Sequence, residues 1–245
     1  MTTDWLEVAG IPSHDVPDII VLEGSWWRSQ RERQRLSRLC DPRPLAAPDW
    51  WLGGYGPYRV LYACLYGAAR AVEPVLMVGT YGTRAVVQIG SCGGLQPSVH
   101  TGDLLVPAPV LGADGVSTQL SPGPSYSPTA GLVTSLETAA ARTGEPLRLG
   151  PTVSECTLSQ LRPQDLSMAQ WVEEGYLGVD LETASVYAAA ERVGVGHAAV
   201  LYVWDEHWVG RNWSDPLPLE VENRRAQAEI RMFDIALEGA TAYLG

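Results

Sequence analysis

The chain has 245 residues, 46% of them hydrophobic, enough to bury a sizeable core in one large or two small domains. A formal charge of −11 excludes a broad polyanion-binding surface, because a nucleic-acid backbone needs clustered Lys and Arg to release its counterions. No apolar run reaches the length of a membrane span and Met1-Thr2-Thr3-Asp4-Trp5 lacks the basic and apolar regions of a signal peptide, so a cytoplasmic protein with no membrane or nucleic-acid partner is expected.

Residues 1–17 read as irregular, with Pro12 and Pro17 either side of His14. Asp18-Ile19-Ile20-Val21-Leu22-Glu23 is a β-branched run ending at Gly24, after which Ser25 is placed to cap a helix over about 27–39. Free N–H groups and the dipole at such a helix start favour an anion, and Arg28 in the first turn adds a forked donor. The other arginines between Arg28 and Arg38 read mostly as a solvated helix face. Residues 41–56 are rich in Pro and Gly and predict a loop, 58–66 a strand and 68–77 a helix.

Val86-Val87-Gln88-Ile89-Gly90-Ser91-Cys92-Gly93-Gly94-Leu95 is an apolar run that breaks into small residues. It predicts a buried strand entering a loop, at the position where open α/β sheets bind ligands. Either the loop offers N–H groups and the Ser91 hydroxyl to a ligand, or its glycines simply let strands pack closely. Leu104-Leu105-Val106 is a strand closed by Pro107, 112–128 a loop, 131–143 a helix and 148–157 a strand with a loop. Leu177 to Thr183 leads into an Ala-rich helix over 183–193, an apolar strand follows over 197–203, and an amphipathic helix over 224–243 closes the chain. This alternation, without a composition break or repeat, predicts one α/β domain over 1–245 on a central mixed sheet. Cys40, Cys64, Cys92 and Cys156 are scattered without metal-ligand spacing and read as buried thiols, with neither metal nor disulfide expected. Nine Trp against one Phe, with Trp26-Trp27 and Trp50-Trp51 adjacent, suggest flat contact surfaces in a pocket or between subunits.

Two acidic segments end strands. Asp180 and Glu182 share a face if extended and diverge at a helix start; Asp180 is also well placed simply to favour the helix dipole. A carboxylate such as Glu182 in an apolar stretch can accept two vicinal sugar hydroxyls and steady positive charge on a neighbouring carbon. Asp205 ends an apolar strand, where burial would raise its pKa and make it a proton donor near neutral pH; the alternative is a solvent-facing turn. His207 reads as a loop residue more than as an acid.

Four segments, Leu22-Glu23-Gly24-Ser25-Trp26-Trp27-Arg28, Gln88-Ile89-Gly90-Ser91-Cys92-Gly93-Gly94, Gly178-Val179-Asp180-Leu181-Glu182-Thr183 and Val203-Trp204-Asp205-Glu206-His207, span most of the chain. Together they resemble, in order, the nucleoside phosphorylase family, which includes purine nucleoside phosphorylase, uridine phosphorylase and related nucleosidases. The resemblance implies a three-layer α/β/α fold and a homo-oligomer built from dimers. It implies cleavage of the N-glycosidic bond of a purine or pyrimidine nucleoside by inorganic phosphate, giving free base and pentose 1-phosphate, with no further cofactor. By the same resemblance Glu182 and Asp205 are catalytic, Glu182 holding the ribose hydroxyls and Asp205 protonating the leaving base. Gly24, Arg28 and Ser91 bind phosphate; Leu181 and His14, the latter lent to a neighbour, meet the sugar. Cys92, Gly93 and Asp205 border the base, and Gln160 and Arg162 match the Gly-Gln-x-Arg that reads uracil in uridine phosphorylases.

The family pattern is also broken in places. Ser25-Trp26 replaces an Asp-Pro, Gln88 replaces a second phosphate-binding arginine, and a third arginine falls near Asp49, with Arg43 the nearest substitute. Fewer cations weaken a dianion's hold. A hydrolytic nucleosidase is therefore the alternative reading, although nucleosidases place an acidic residue where this chain has Arg28. A non-catalytic nucleoside-binding protein is the third.

Overall fold

The computed structural model describes residues 3–158, 166–211 and 213–245. Helix α1 (Trp5–Ala9) lies within the stretch expected to be irregular: the Asp4 side chain accepts from the Leu6 N–H at 3.0 Å, and Gly10 ends the turn at φ 73°. The β-branched run forms β1 (Ile19–Gly24) and leads to α2 (Arg28–Leu36). Ser25 does not cap α2; its hydroxyl accepts from the Trp27 N–H, and Trp27 itself takes the cap position. In place of the 41–56 loop the chain forms β2 (Cys40–Pro44) and β3 (Trp50–Tyr55), antiparallel to each other, with β4 (Tyr58–Cys64) paired to β3. Glycine there serves close packing: a Cβ on Gly53 would stand 3.1 Å from Leu39 Cβ.

The helix expected over 68–77 is divided into α3 (Ala68–Ala71) and α4 (Glu73–Val78), with Pro74 in the first turn of α4. Strand β5 (Ala85–Gly94) follows, then β6 (Leu104–Ala113), which continues through Pro107. The pairing of β6 with its neighbour shifts between Pro107 and Val110, where the prolines have no N–H to offer. The supposed loop holds α5 (Ser117–Leu120) and β7 (Ser125–Tyr126). The order ends α6 (Ala130–Thr143), β8 (Leu147–Glu155), α7 (Leu166–Glu173), β9 (Gly178–Asp180), α8 (Thr183–Val193), β10 (Gly196–Glu206) and α9 (Leu219–Leu244).

These strands form one mixed sheet in the order β10-β6-β8-β9-β5-β1-β4-β3-β2, with β7 on β6. Strand β10 also pairs with β5, so β5, β10, β6, β8 and β9 close into a ring while β1 to β4 extend it as an open sheet. Apolar residues of α6 and α9 pack on one face and those of α1, α3, α4 and α8 on the other. The parallel strands β1, β5 and β10 run to the same edge, β1 stopping at Gly24 opposite Gly90 while β5 and β10 continue to Gly94 and Glu206, where an α/β sheet opens to ligands.

Two arginines expected on a solvated face are buried. Arg35 grips Glu23 through both carboxylate oxygens, at 3.0 and 2.9 Å, and the Tyr62 hydroxyl donates to the same carboxylate at 2.7 Å. Arg31 pairs with Glu229 and donates to the Tyr202 hydroxyl at 3.3 Å. Arg33 and Arg38 are exposed, as expected of a solvated face; Arg28, expected at an anion site, is exposed as well. Of the cysteines only Cys64 and Cys92 are buried; Cys40 and Cys156 are exposed. Among the described residues, no helix is long and apolar enough to cross a membrane.

Removing one partner of a buried pair strands the other charge. Arg35→Ala should lower the unfolding free energy by about 3–5 kcal/mol, read from urea denaturation.

Candidate active site

The strand ends enclose a cavity of about 590 Å³, lined on one side by Gly24, Ser91, Cys92 and Gly93 and on the others by Asp180, Leu181, Glu182, Asp205 and His207. Tyr66, Trp26, Trp27, Tyr202, Trp204 and Trp213 complete its wall. The aromatic rings touch in series: Trp26 lies 5.0 Å from Tyr66 and 6.2 Å from Trp213, and Trp27 stacks on Trp204 at 5.1 Å.

Glu182 stands at the start of α8, its carboxylate accepting the Gly67 N–H at 2.7 Å. It lies so close to β1 that a Cβ on Gly24 would be 2.6 Å from Oε2, a direct reason for glycine at that position. Asp180 is fixed from four sides, by the Ser154 and Thr183 hydroxyls and by the N–H groups of Thr183 (2.8 Å) and Glu182 (3.2 Å). Burial raises both carboxyls, and in Glu182, pushed up to about 8, the Asp180 charge adds to it. The hydrogen-bond donors around Asp180 oppose its shift.

Asp205 ends β10 just after a bulge: Val203 pairs with Cys92 and Asp205 with Gly93, leaving Trp204 extra. Burial pushes the Asp205 carboxyl up to about 7, with the Arg225 charge opposing. Arg225 reaches over from α9 and stacks on Trp204 with its guanidinium carbon 4.0 Å from the ring centroid. A carboxylic acid of this pKa can donate a proton at neutral pH.

A family model described as the Phosphorylase superfamily matches residues 60–239. The chain belongs to this superfamily. Among its relatives, a DeoD-type purine nucleoside phosphorylase of Roseobacter denitrificans is 32% identical over 198 residues, covering 78% of this chain and 81% of the relative. Another of the same description, from Caldanaerobacter subterraneus, is 24% identical over 236 residues, covering 94% and 97%. A crystal structure of uridine phosphorylase from Vibrio fischeri superposes with a TM-score of 0.79 at 17% identity over 94% of each chain, a likeness of fold.

On the superfamily fold, the residues expected at the site that do line the cavity are Gly24, Ser91, Cys92, Gly93, Leu181, Glu182 and Asp205. Arg28 is not brought there. Its guanidinium turns away to Asp49 and to Glu32 (3.6 Å), in a shallower adjoining hollow with Arg33 and Arg70, beyond the Trp26 and Trp27 wall. Arg43 pairs with Asp15 at 2.7 Å and His14 is exposed in the N-terminal turn; neither lines the cavity. Gln160 and Arg162 lie outside the described residues. Gln88 also stays out of the cavity: fully buried, its amide oxygen lies 2.8 Å from the Thr183 hydroxyl, whose one proton it shares with Asp180, and its amide nitrogen donates to the Ile89 carbonyl at 3.1 Å. Its amide thus braces the residue that holds Asp180.

Trp26 and Trp27, suggested by the sequence as a contact surface in a pocket or between subunits, do line the cavity, whereas Arg225, Tyr66, Tyr202, Trp204 and Trp213 were missed, because no local spacing marks residues that come together from separate segments. Sequence reasoning also set His207 in a loop, although period-two counting from Asp205 places both on one face.

The raised pKa of Asp205 has a stability consequence. An unfolded Asp releases its proton near pH 4, whereas the native one holds it to about 7, so the native state binds more protons between these values and stability falls as pH rises through that window. Asp205→Asn should remove that cost. Its thermal stability should match wild type near pH 4 and exceed it at pH 8 by on the order of 3 kcal/mol, read from thermal unfolding at both values.

Proposed function

We propose that this protein is a pentosyltransferase that cleaves the N-glycosidic bond of a purine nucleoside with inorganic phosphate, giving free base and pentose 1-phosphate. The observation that carries the reading is the pair of buried carboxyl groups, Glu182 and Asp205, brought from α8 and β10 to one aromatic-walled cavity. As the bond from C1′ to the base breaks, its electron pair stays on the base and the Asp205 proton neutralises it. The sugar carbon gains positive charge, which the acidic wall of Asp180 and Glu182 offsets, while Glu182 takes the ribose hydroxyls. A phosphate oxygen then bonds C1′, from a site that the Gly24 backbone and the Ser91 hydroxyl border.

The names of the relatives support a purine base and phosphate as acceptor. One observation favours a second reading, hydrolysis by water: among the described residues no arginine lines the cavity, and the Gln88 amide is engaged elsewhere. Purine nucleosides incubated with and without phosphate separate the two. Phosphate-dependent release of pentose 1-phosphate is expected, with Asp205→Asn lowering turnover about a hundredfold or more; equal turnover in both conditions establishes hydrolysis instead. Binding without base release would leave only a nucleoside-binding protein.

The proposal includes a cytoplasmic enzyme that needs no cofactor beyond phosphate and works as a homo-oligomer built from dimers, in which His14 meets the sugar of a neighbouring site. The exposed Trp5, Trp26, Trp27 and Trp213 support association. Sedimentation velocity is expected to show an oligomer at micromolar concentration; a monomer refutes it.

A further inference from the structure

The wall beside Asp205 contains a polar group for which proton transfer to the base has no use. His207 lines the cavity with its side chain only 5% exposed, and its Nε2 stands 3.7 Å from Asp205 Oδ1. That gap is too long for the two to bond each other. It suits two groups that address neighbouring atoms of a third.

Its place follows from the chain. After the bulge at Trp204 the backbone stays extended through Glu206, with φ −115° and ψ 90°, so residues 205 and 207 turn to the same side. Glu206, between them, turns away and accepts from the Thr101 N–H at 2.9 Å. Gly93 makes room for the ring: a Cβ there would run into His207 Cδ2 and Nε2. Nδ1 is buried without a hydrogen-bond partner among the described residues, so no protein group there commits the ring to one tautomer. Burial alone holds the imidazole below its usual pKa, hence neutral, with one N–H donor and one acceptor.

We infer that His207 is a specificity-determining residue that hydrogen-bonds the substituent at C6 of a purine while Asp205 addresses N7. A purine presents N7 and its 6-substituent side by side on one edge, N7 with a 6-oxo acceptor or with a 6-amino donor. A neutral imidazole free to exchange tautomers answers either, donating to an oxo group or accepting from an amino group. His207 therefore adds to the binding of a purine substituted at C6 and nothing to that of a purine bare there. This inference rests on the purine nucleoside reading proposed above.

The test compares inosine, adenosine and purine riboside, which has hydrogen at C6, on wild type, His207→Phe and His207→Gln. Phe keeps a ring of similar shape without a hydrogen-bonding atom; Gln restores a donor and an acceptor. His207→Phe should lower kcat/KM for inosine and adenosine about tenfold and leave purine riboside within about threefold, with His207→Gln recovering part of the loss. An equal loss on all three nucleosides, or no loss on any, overturns the inference. Calorimetric titration of free hypoxanthine and free purine reads His207 independently of turnover. Hypoxanthine should bind His207→Phe about tenfold more weakly than wild type while purine binds both equally; unchanged hypoxanthine affinity overturns the inference. If wild type releases no base from any nucleoside, it is the proposed reaction that fails, and the titration still decides the role of His207.

Discussion

The buried ion cluster around Glu23 is the constraint on which the site depends. Its carboxylate stands one residue before Gly24 and is held by both nitrogens of the Arg35 fork and by the Tyr62 hydroxyl. A carboxylate in an apolar interior is tolerable only when its charge and lone pairs are answered, and α2 answers it from the side. Arg35 holds the last turn of α2 to the end of β1, and Arg31, nearer its start, faces the same carboxylate at 3.9 Å, so the Ser25-Trp26-Trp27 connection joins two anchored elements. Two large rings are consequently set over the cavity by an interaction that neither makes.

Three carboxyl groups line the cavity, and the fold treats them differently. Asp180 is surrounded by donors, which stabilise its charge. Glu182 accepts from the Gly67 N–H, and Asp205 has Arg225 as its main opposing charge. Burial raises all three, and at Asp180 the N–H and O–H groups aimed at it oppose that rise most fully. Gln88 belongs to this arrangement as the support of Thr183. An arginine in its place would bring a charge into a buried network already balanced around Asp180.

Much of this was legible in the sequence, for physical reasons that differ from place to place. Ile19 to Gly24 and Val86 to Gly94 are recognisable because β-branched runs ending in glycine leave few alternatives, and the Gly194 stop is equally local. Cavity residues at strand ends followed from the same patterns. Arg31 and Arg35 were not legible, because their partners Glu23, Tyr202 and Glu229 are distant in sequence and the helix they sit on is polar throughout. Trp50 to Tyr55 looked like a loop because glycine signals both flexibility and close strand packing. Arg28 was placed correctly at a helix start, but its direction was decided by Asp49, which spacing alone cannot show.

The ring formed by β5, β10, β6, β8 and β9 gives the two ends of the cavity different mechanical character. Asp205, Cys92, Gly93 and Asp180 all stand on strands of that hoop, with Gly93 paired to Asp205 on one side and to Val179, next to Asp180, on the other, so the spacing among them cannot widen without breaking a ladder. Gly24, Trp26 and Tyr66 belong to the open half of the sheet and its connections, which have a free edge to flex against. The acid end therefore works as a gauge of fixed dimension. Adaptation to a bulkier ligand falls to the opposite end, where the rings of Trp26 and Tyr66 can shift without disturbing the proton donor.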